Sequence, residues 1–444
     1  MTTLPSPLAS SSGEGVDQNL CVALLIGKRR LSAWLRVFAA ALFVCASLLP
    51  RRAGAQAEPA LSTTLAQQVF ETTWQLVADH YVDAAFNGVD WQGVRAEFEP
   101  RVRAARSWVE FYALMRAMIA RLGDGHSVFL PPRAAQIAHA QRRGAPGAHA
   151  FGLAANLRAM PDASLLVLQV PARAEAARWL KPGDRIIAVE GLSLTAAGAA
   201  SPLFDTRARV RLTVTDAYGH NREAVVPKEL FGSTHFPPPV AARRLEGGVG
   251  YLALFDFSTF GSSAYARDAL MQLTRRDKLT GLVIDLRANE GGVIGQMLDV
   301  LGMFLEGVDA GAHVDRVGNL TSYTVPAGRL LPALHAVPIV LLVGETTHSA
   351  AEIFAAVMQV HGRARVVGST TSGNTELVRH FRLPDGSSLW LAVASYRAPN
   401  GAMLEGIGVV PDLTVDVPWW RFVQDQDPQL VAAVRMLRAT MASP

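Results

Sequence analysis

The chain has 444 residues, of which 50% are hydrophobic and 18% charged. That composition belongs to a folded globular protein of two or three domains and excludes a disordered or fibrous one. The formal charge is only +4, with no basic block carrying interleaved aromatics beyond the leader, so no nucleic-acid partner is expected.

Lys28-Arg29-Arg30 and Arg36 precede the apolar run Val37 to Leu49, and Ala53-Gly54-Ala55 or Ala55-Gln56-Ala57 follows as a small-residue cleavage site. This is the three-part pattern of a secretory signal, and the run is too short for an ordinary spanning helix. Residues 1–57 are expected to be a signal peptide or an N-terminal anchor. The expected location is the periplasm or the exterior, with membrane attachment only if the leader stays uncleaved. Both cysteines, Cys21 and Cys45, fall in this leader, which removes thiol catalysis, disulfides and cysteine–zinc sites from the mature chain.

Residues 58–148 form an expected N-terminal helical region. Apolar residues recur at three- and four-residue spacing from Leu61 to Arg121, and Asn87-Gly88 marks a turn between helices. The region ends in Leu122-Gly-Asp-Gly-His126-Ser127, where two glycines put the histidine on a tight loop. Arg133 to Ala148 reads as a polar linker or surface helix. From Phe151 the period changes to two, so residues 149–230 are expected to be a compact β module. Leu180-Lys-Pro-Gly-Asp-Arg-Ile-Ile-Ala-Val-Glu-Gly191 resembles the diagnostic segment of PDZ domains, and Phe151, Gly152 and Leu153 lie where such domains bind a peptide carboxylate.

In residues 231–420 strands alternate with helices, which means a parallel sheet covered on both faces. Leu279 to Arg287 and Val337 to Val343 read as buried strands, each followed by a turn and a helix. The first turn is Ala288-Asn-Glu-Gly-Gly292 and the second is Gly344 to Ser349. Sites in such sheets form beyond the carboxyl ends of strands, so the two turns are expected to face one another. Ser349 stands where a strand hands over to a helix, and orphan amides and the positive end of the helix dipole lie there. A serine so placed can attack a carbonyl. Ser349-Ala-Ala-Glu352 is equally a capping box, which many helices carry without chemistry. Met403 to Asp412 is a glycine-punctuated loop with one carboxylate, Glu405, and residues 421–444 close the chain with a helix. No H-E-x-x-H, clustered ligand spacing or phosphate-cradling loop occurs, so neither metal nor cofactor is expected.

Seven segments in order resemble the S41 serine peptidases, the group of carboxyl-terminal processing and tricorn-core peptidases. They are NGVDW at Asn87, LGDGH at Leu122, the PDZ-like segment, DLRANEGG at Asp285, THSAAEI at Thr347, HGRARVVG at His361 and EGIGVVPD at Glu405. The resemblance implies a multidomain α/β chain: a helical region, a PDZ-like β module and a ClpP/crotonase-like α/β core. It implies hydrolysis of polypeptides, with Ser349 as nucleophile and with Ala350 and Gly291 or Gly292 as oxyanion donors. In the branch with a serine–lysine dyad the lysine sits in the turn that here reads Thr371-Ser-Gly-Asn374-Thr. Asparagine cannot be a base, and no lysine follows Lys278. The tricorn-like arrangement fits instead, with His126 as general base and Glu405 as its orienting carboxylate. Gly125 replaces the serine that some members carry beside the histidine. The base is expected to titrate near roughly pH 6.5 before environmental shifts. The alternatives are an inactive scaffold that binds peptides through the PDZ-like module and a carrier of apolar ligands.

Overall fold

The computed structural model describes residues 60–136, 151–160, 162–195, 203, 207–230, 237–275, 277–422 and 426–442. The leader and most of the polar stretch after Arg133 lie outside the described residues.

The expected parallel sheet has six strands: Val240–Arg244, Val249–Leu254, Gly281–Asp285, Ile339–Val343, Arg365–Gly368 and Leu413–Thr414. The first pair is antiparallel and the rest are parallel, so spatial order follows chain order. Val249–Leu254, Gly281–Asp285 and Ile339–Val343 are buried at every position, as strands covered on both faces must be. Their two-residue period sorts the side chains between two cores. Leu252, Ile284, Leu341 and Val343 pack with the helices Ser262–Thr274, Ile294–Leu301 and Ala350–Val360. Tyr251, Val283, Val340 and Leu342 face the C-terminal helix Pro428–Ala442 through Leu430, Ala433 and Leu437.

A second, antiparallel sheet joins the two ends of the chain. Ser388–Arg397 pairs with Val128–Leu130, Asp309–Asp315 and Leu377–Arg382, and Leu320–Thr324 extends it beyond Asp309–Asp315. Every pairing is antiparallel. Leu389, Leu391 and Val393 close the core of the N-terminal helices Thr63–His80, Trp91–Ala104 and Trp108–Ile119. The helical region is therefore bolted to the carboxyl-terminal part of the chain.

The β module has its own core, built on Val167, Ile186, Val210, Leu212 and Val226. Its strands run in the order Asn156–Ala159, Leu165–Gln169, Arg185–Val189, Arg209–Thr215, Asn221–Pro227. Phe151–Gly152 does not form an open loop, because it pairs with Glu229–Leu230, and Leu153 is buried in the module's core. Arg158 joins the module to the main sheet, donating to the Phe255 carbonyl at 3.0 Å and meeting the Glu290 carboxylate.

At the carboxyl end of the strand Gly281–Asp285 lies a buried ionic network. Arg287 is 2% exposed and holds Asp285 at 2.6 Å and Asp427 at 2.7 Å, while its guanidinium stacks over Trp419 at 4.2 Å. Burial pushes the Asp285 carboxyl up, but Arg287 and the Tyr251 hydroxyl pull it to a net lowering. A lowered folded-state pKa stabilises above the unfolded value of about 3.9, and that stability is lost as pH falls through the folded value. Removing one member strands buried charge, so Arg287→Met is expected to cost about 3–5 kcal/mol. Urea unfolding at pH 7 and in acid would test this. The deficit should narrow in acid, and a deficit under ~1 kcal/mol at pH 7, the size of an exposed pair, would show that the network is not structural.

Candidate active site

Ser349 ends the turn after Ile339–Val343 with φ 53° and ψ −124°. A non-glycine residue held there carries strain on the order of 1–3 kcal/mol and needs surroundings that over-determine it. Those surroundings are visible. Thr347 Oγ1 donates to the Leu286 carbonyl at 2.9 Å and Thr346 Oγ1 to the Arg287 carbonyl. His348 N–H donates to the Asn289 carbonyl at 2.9 Å, and Ser349 N–H donates to the Asn374 carbonyl at 2.9 Å and to Glu352 Oε2 at 3.1 Å. The two turns expected to face one another are thus stitched together.

Gly291 lies directly against the serine. With φ +85°, a Cβ there would sit 2.7 Å from Ala350 N, the His348 carbonyl and Ser349 Cβ. Ala350 N–H is the first of the helix and has no intrahelical acceptor. The Gly291 N–H, however, donates to Asn289 Oδ1 at 2.8 Å. Of the two expected glycine donors, Gly291 provides the close approach and Gly292 has the uncommitted amide among the described residues.

His126 sits on a turn fixed by Asp124, whose Oδ1 accepts from His126 N–H at 2.8 Å and from Ser127 N–H at 2.5 Å. Ser127 Oγ accepts from Ala392 N–H at 3.2 Å, locking the loop to the second sheet. The His126 side chain is 8% exposed, and its Nε2 lies 4.0 Å from Glu405 Oε2. No hydrogen bond joins it to Ser349 among the described residues. Burial pushes the imidazole down to about 4, against the pull of Asp124. The environment thus moves the imidazole below its unperturbed range, and His126 is uncharged at neutral pH.

Glu405 accepts from Thr375 N–H at 2.7 Å and Thr375 Oγ1 at 3.3 Å. Burial raises its carboxyl, as it does that of Glu376, which Glu405 repels further. The loop between them is held from below by Glu352, fully buried and accepting from Thr371 Oγ1, Ser372 Oγ, Gly373 N–H and Asn374 N–H at 2.5–2.9 Å. The Asn374 side chain presses on the histidine loop, since a Cβ on Gly125 would lie 2.5 Å from Asn374 Nδ2. His348, adjacent to the serine, is buried and pushed down to about 3 by desolvation, then by Arg158 and His126.

The capping box expected at Ser349-Ala-Ala-Glu352 is present, and Glu352 also binds the 371–374 loop, which its letters did not signal. Sequence reading missed one residue here. Glu376 follows Thr375 in a polar stretch without periodicity, and no local signal marked it.

Comparison with known proteins gives this geometry a context. Residues 248–415 match Peptidase family S41, and residues 64–120 match the Tricorn protease C1 domain. The carboxyl-terminal-processing protease of Synechocystis sp. is 29% identical over 86% of this chain and 89% of its own. The tricorn protease homolog 1 of Streptomyces coelicolor is 28% identical over 84% of this chain, which spans 35% of that protein. Among solved structures, the photosystem II D1 C-terminal processing protease superposes with TM-score 0.57 at 25% identity, covering 79% of this chain and 93% of that one. The turn that carries Ser349 lies inside the segment that matches Peptidase family S41, and the similarity to carboxyl-terminal-processing proteases extends over most of the chain.

Proposed function

We propose that this chain hydrolyses polypeptides with Ser349 as nucleophile, His126 as general base and Glu405 as the carboxylate that orients the base. Its class, a serine-type peptidase, follows from the family. The observation that carries the residue assignment is the strained Ser349 turn with Gly291 packed against the orphan Ala350 amide. A serine forced out at a strand-to-helix turn presents its hydroxyl to substrate. An oxyanion formed beside Ala350 N–H meets a donor that needs no reorganisation, and the Gly292 amide is the second donor.

His126, neutral at pH 7, can accept the Ser349 proton and return it to the leaving amine. The ring faces Glu405 in the resting site and turns toward Ser349 when substrate excludes water, since catalytic hydrogen bonds tighten in the complex. Asn374 cannot replace a dyad lysine. Its carbonyl and N–H instead bind Ser349 and Glu352, a role in holding the turn rather than in proton transfer. We assign residues 149–230 as a PDZ-like module and 231–420 as the peptidase core. The leader pattern supports export, and among the described residues no helix is long and apolar enough to cross a membrane.

A fluorophosphonate probe tests the assignment on the full chain. Wild type should label, and Ser349→Ala should not. His126→Ala should label at least tenfold more slowly; equal rates would remove His126 as the base. Gly291→Ala should also lose labelling, because its Cβ would displace Ser349, while unfolding at the wild-type urea concentration shows the fold intact. In metal-free buffer the acid limb of Glu405→Gln labelling, freed of the carboxyl that burial raises to about 7, should fall below pH 6.5, and a midpoint at or above that value would contradict a desolvated imidazole.

A further inference from the structure

The side of His126 that faces Glu405 has chemistry of its own. One ligand atom each from His126, Glu376 and Glu405 lie within 4.8 Å of one another. His126 Nε2 is aimed into this group from a side chain 8% exposed, and it has no hydrogen-bond partner among the described residues. Glu376 Oε2 is likewise buried and without a partner. Neither carboxylate has a lysine or arginine within ion-pairing distance among the described residues. Two carboxylates withdrawn from water without a cation are costly, and buried polar atoms left unpaired call for a missing partner.

We propose that His126, Glu376 and Glu405 form a Zn2+ site, and that occupation of it stops hydrolysis. One imidazole nitrogen with two carboxylate oxygens is a donor set that zinc accepts, whereas calcium and magnesium favour oxygen alone. Ligands about 2.0–2.1 Å from a tetrahedral ion lie about 3.4 Å apart. The Nε2–Oε2 separation of 4.0 Å therefore closes by a small rotation, and Glu405, 31% exposed, gives the ion a way in. The ligands come from positions 126, 376 and 405, so no local spacing announces them. The inhibitory half of the proposal rests on His126 as the base: a nitrogen bonded to zinc cannot take the Ser349 proton.

Equilibrium dialysis of Zn2+ alone against the full chain reads binding without activity. Wild type should hold one ion per chain. Glu376→Gln and His126→Ala, each checked for folding by urea unfolding, should bind at least tenfold more weakly. Equal binding by all three overturns the site. In parallel, Zn2+ should suppress fluorophosphonate labelling of wild type reversibly with EDTA. Glu376→Gln, normalised to its own zinc-free rate, should need at least tenfold more Zn2+. Bound zinc with undiminished labelling overturns the inhibition. If wild type never labels, the peptidase assignment fails while dialysis still decides the metal site.

Discussion

The arrangement depends on one buried carboxylate. Glu352 has no exposed surface and accepts from five donors, Ser349 N–H among them and the other four from Thr371 to Asn374. Burial raises its pKa and the donors pull it back. Each donor would be stranded if the acid were lost, and the strained Ser349 backbone would lose one of its ties. Hydrogen bonds to a charged acceptor are roughly twice as strong as neutral ones and fix direction as well as distance. The Ser349 turn and the loop that carries Asn374 are therefore one rigid object.

From that object the geometry propagates outward. The 371–375 loop is threaded against the Glu405 loop, with Gly406 N–H donating to the Gly373 carbonyl at 2.8 Å and Val409 N–H to Thr371 Oγ1 at 2.6 Å. Gly373 and Gly408 allow the contact, because a Cβ on either would strike the opposing backbone below 3 Å. Thr375 then binds Glu405 through its N–H, while its carbonyl lies 3.1 Å from His313 Nε2 in the second sheet. Glu352, Thr375 and Glu405 thus form a continuous link from serine to the acid facing His126.

Much of this was legible in the sequence, for reasons that differ by element. Buried parallel strands such as Ile339–Val343 announce themselves as unbroken apolar runs, and the helix after Ser349 carries its cap in its own letters. Two strands of the second sheet did not announce themselves. Leu320–Thr324 is mostly exposed and Leu377–Arg382 is half polar, so neither shows the alternation of a strand with one buried face. Leu377–Arg382 is placed by Ser388–Arg397 and by helices more than two hundred residues away in the chain, and Leu320–Thr324 by Asp309–Asp315. Such non-local packing leaves no periodic trace. Glu376 was invisible for the same reason: its neighbours His126 and Glu405 come from different elements.

The residue that departs from the dyad pattern illustrates how substitutions compensate. A lysine at position 374 would put a flexible cation beside Ser349. Asn374 contributes its backbone to Ser349 and Glu352, and its short amide fills the space over Gly125 that a side chain on the histidine loop would need. Gly125 and Asn374 are therefore a matched pair. The same contact brings the His126 loop against the serine turn, linking a region built by N-terminal helices to one built by the parallel sheet. The buried, neutral imidazole of His126 stands at this join.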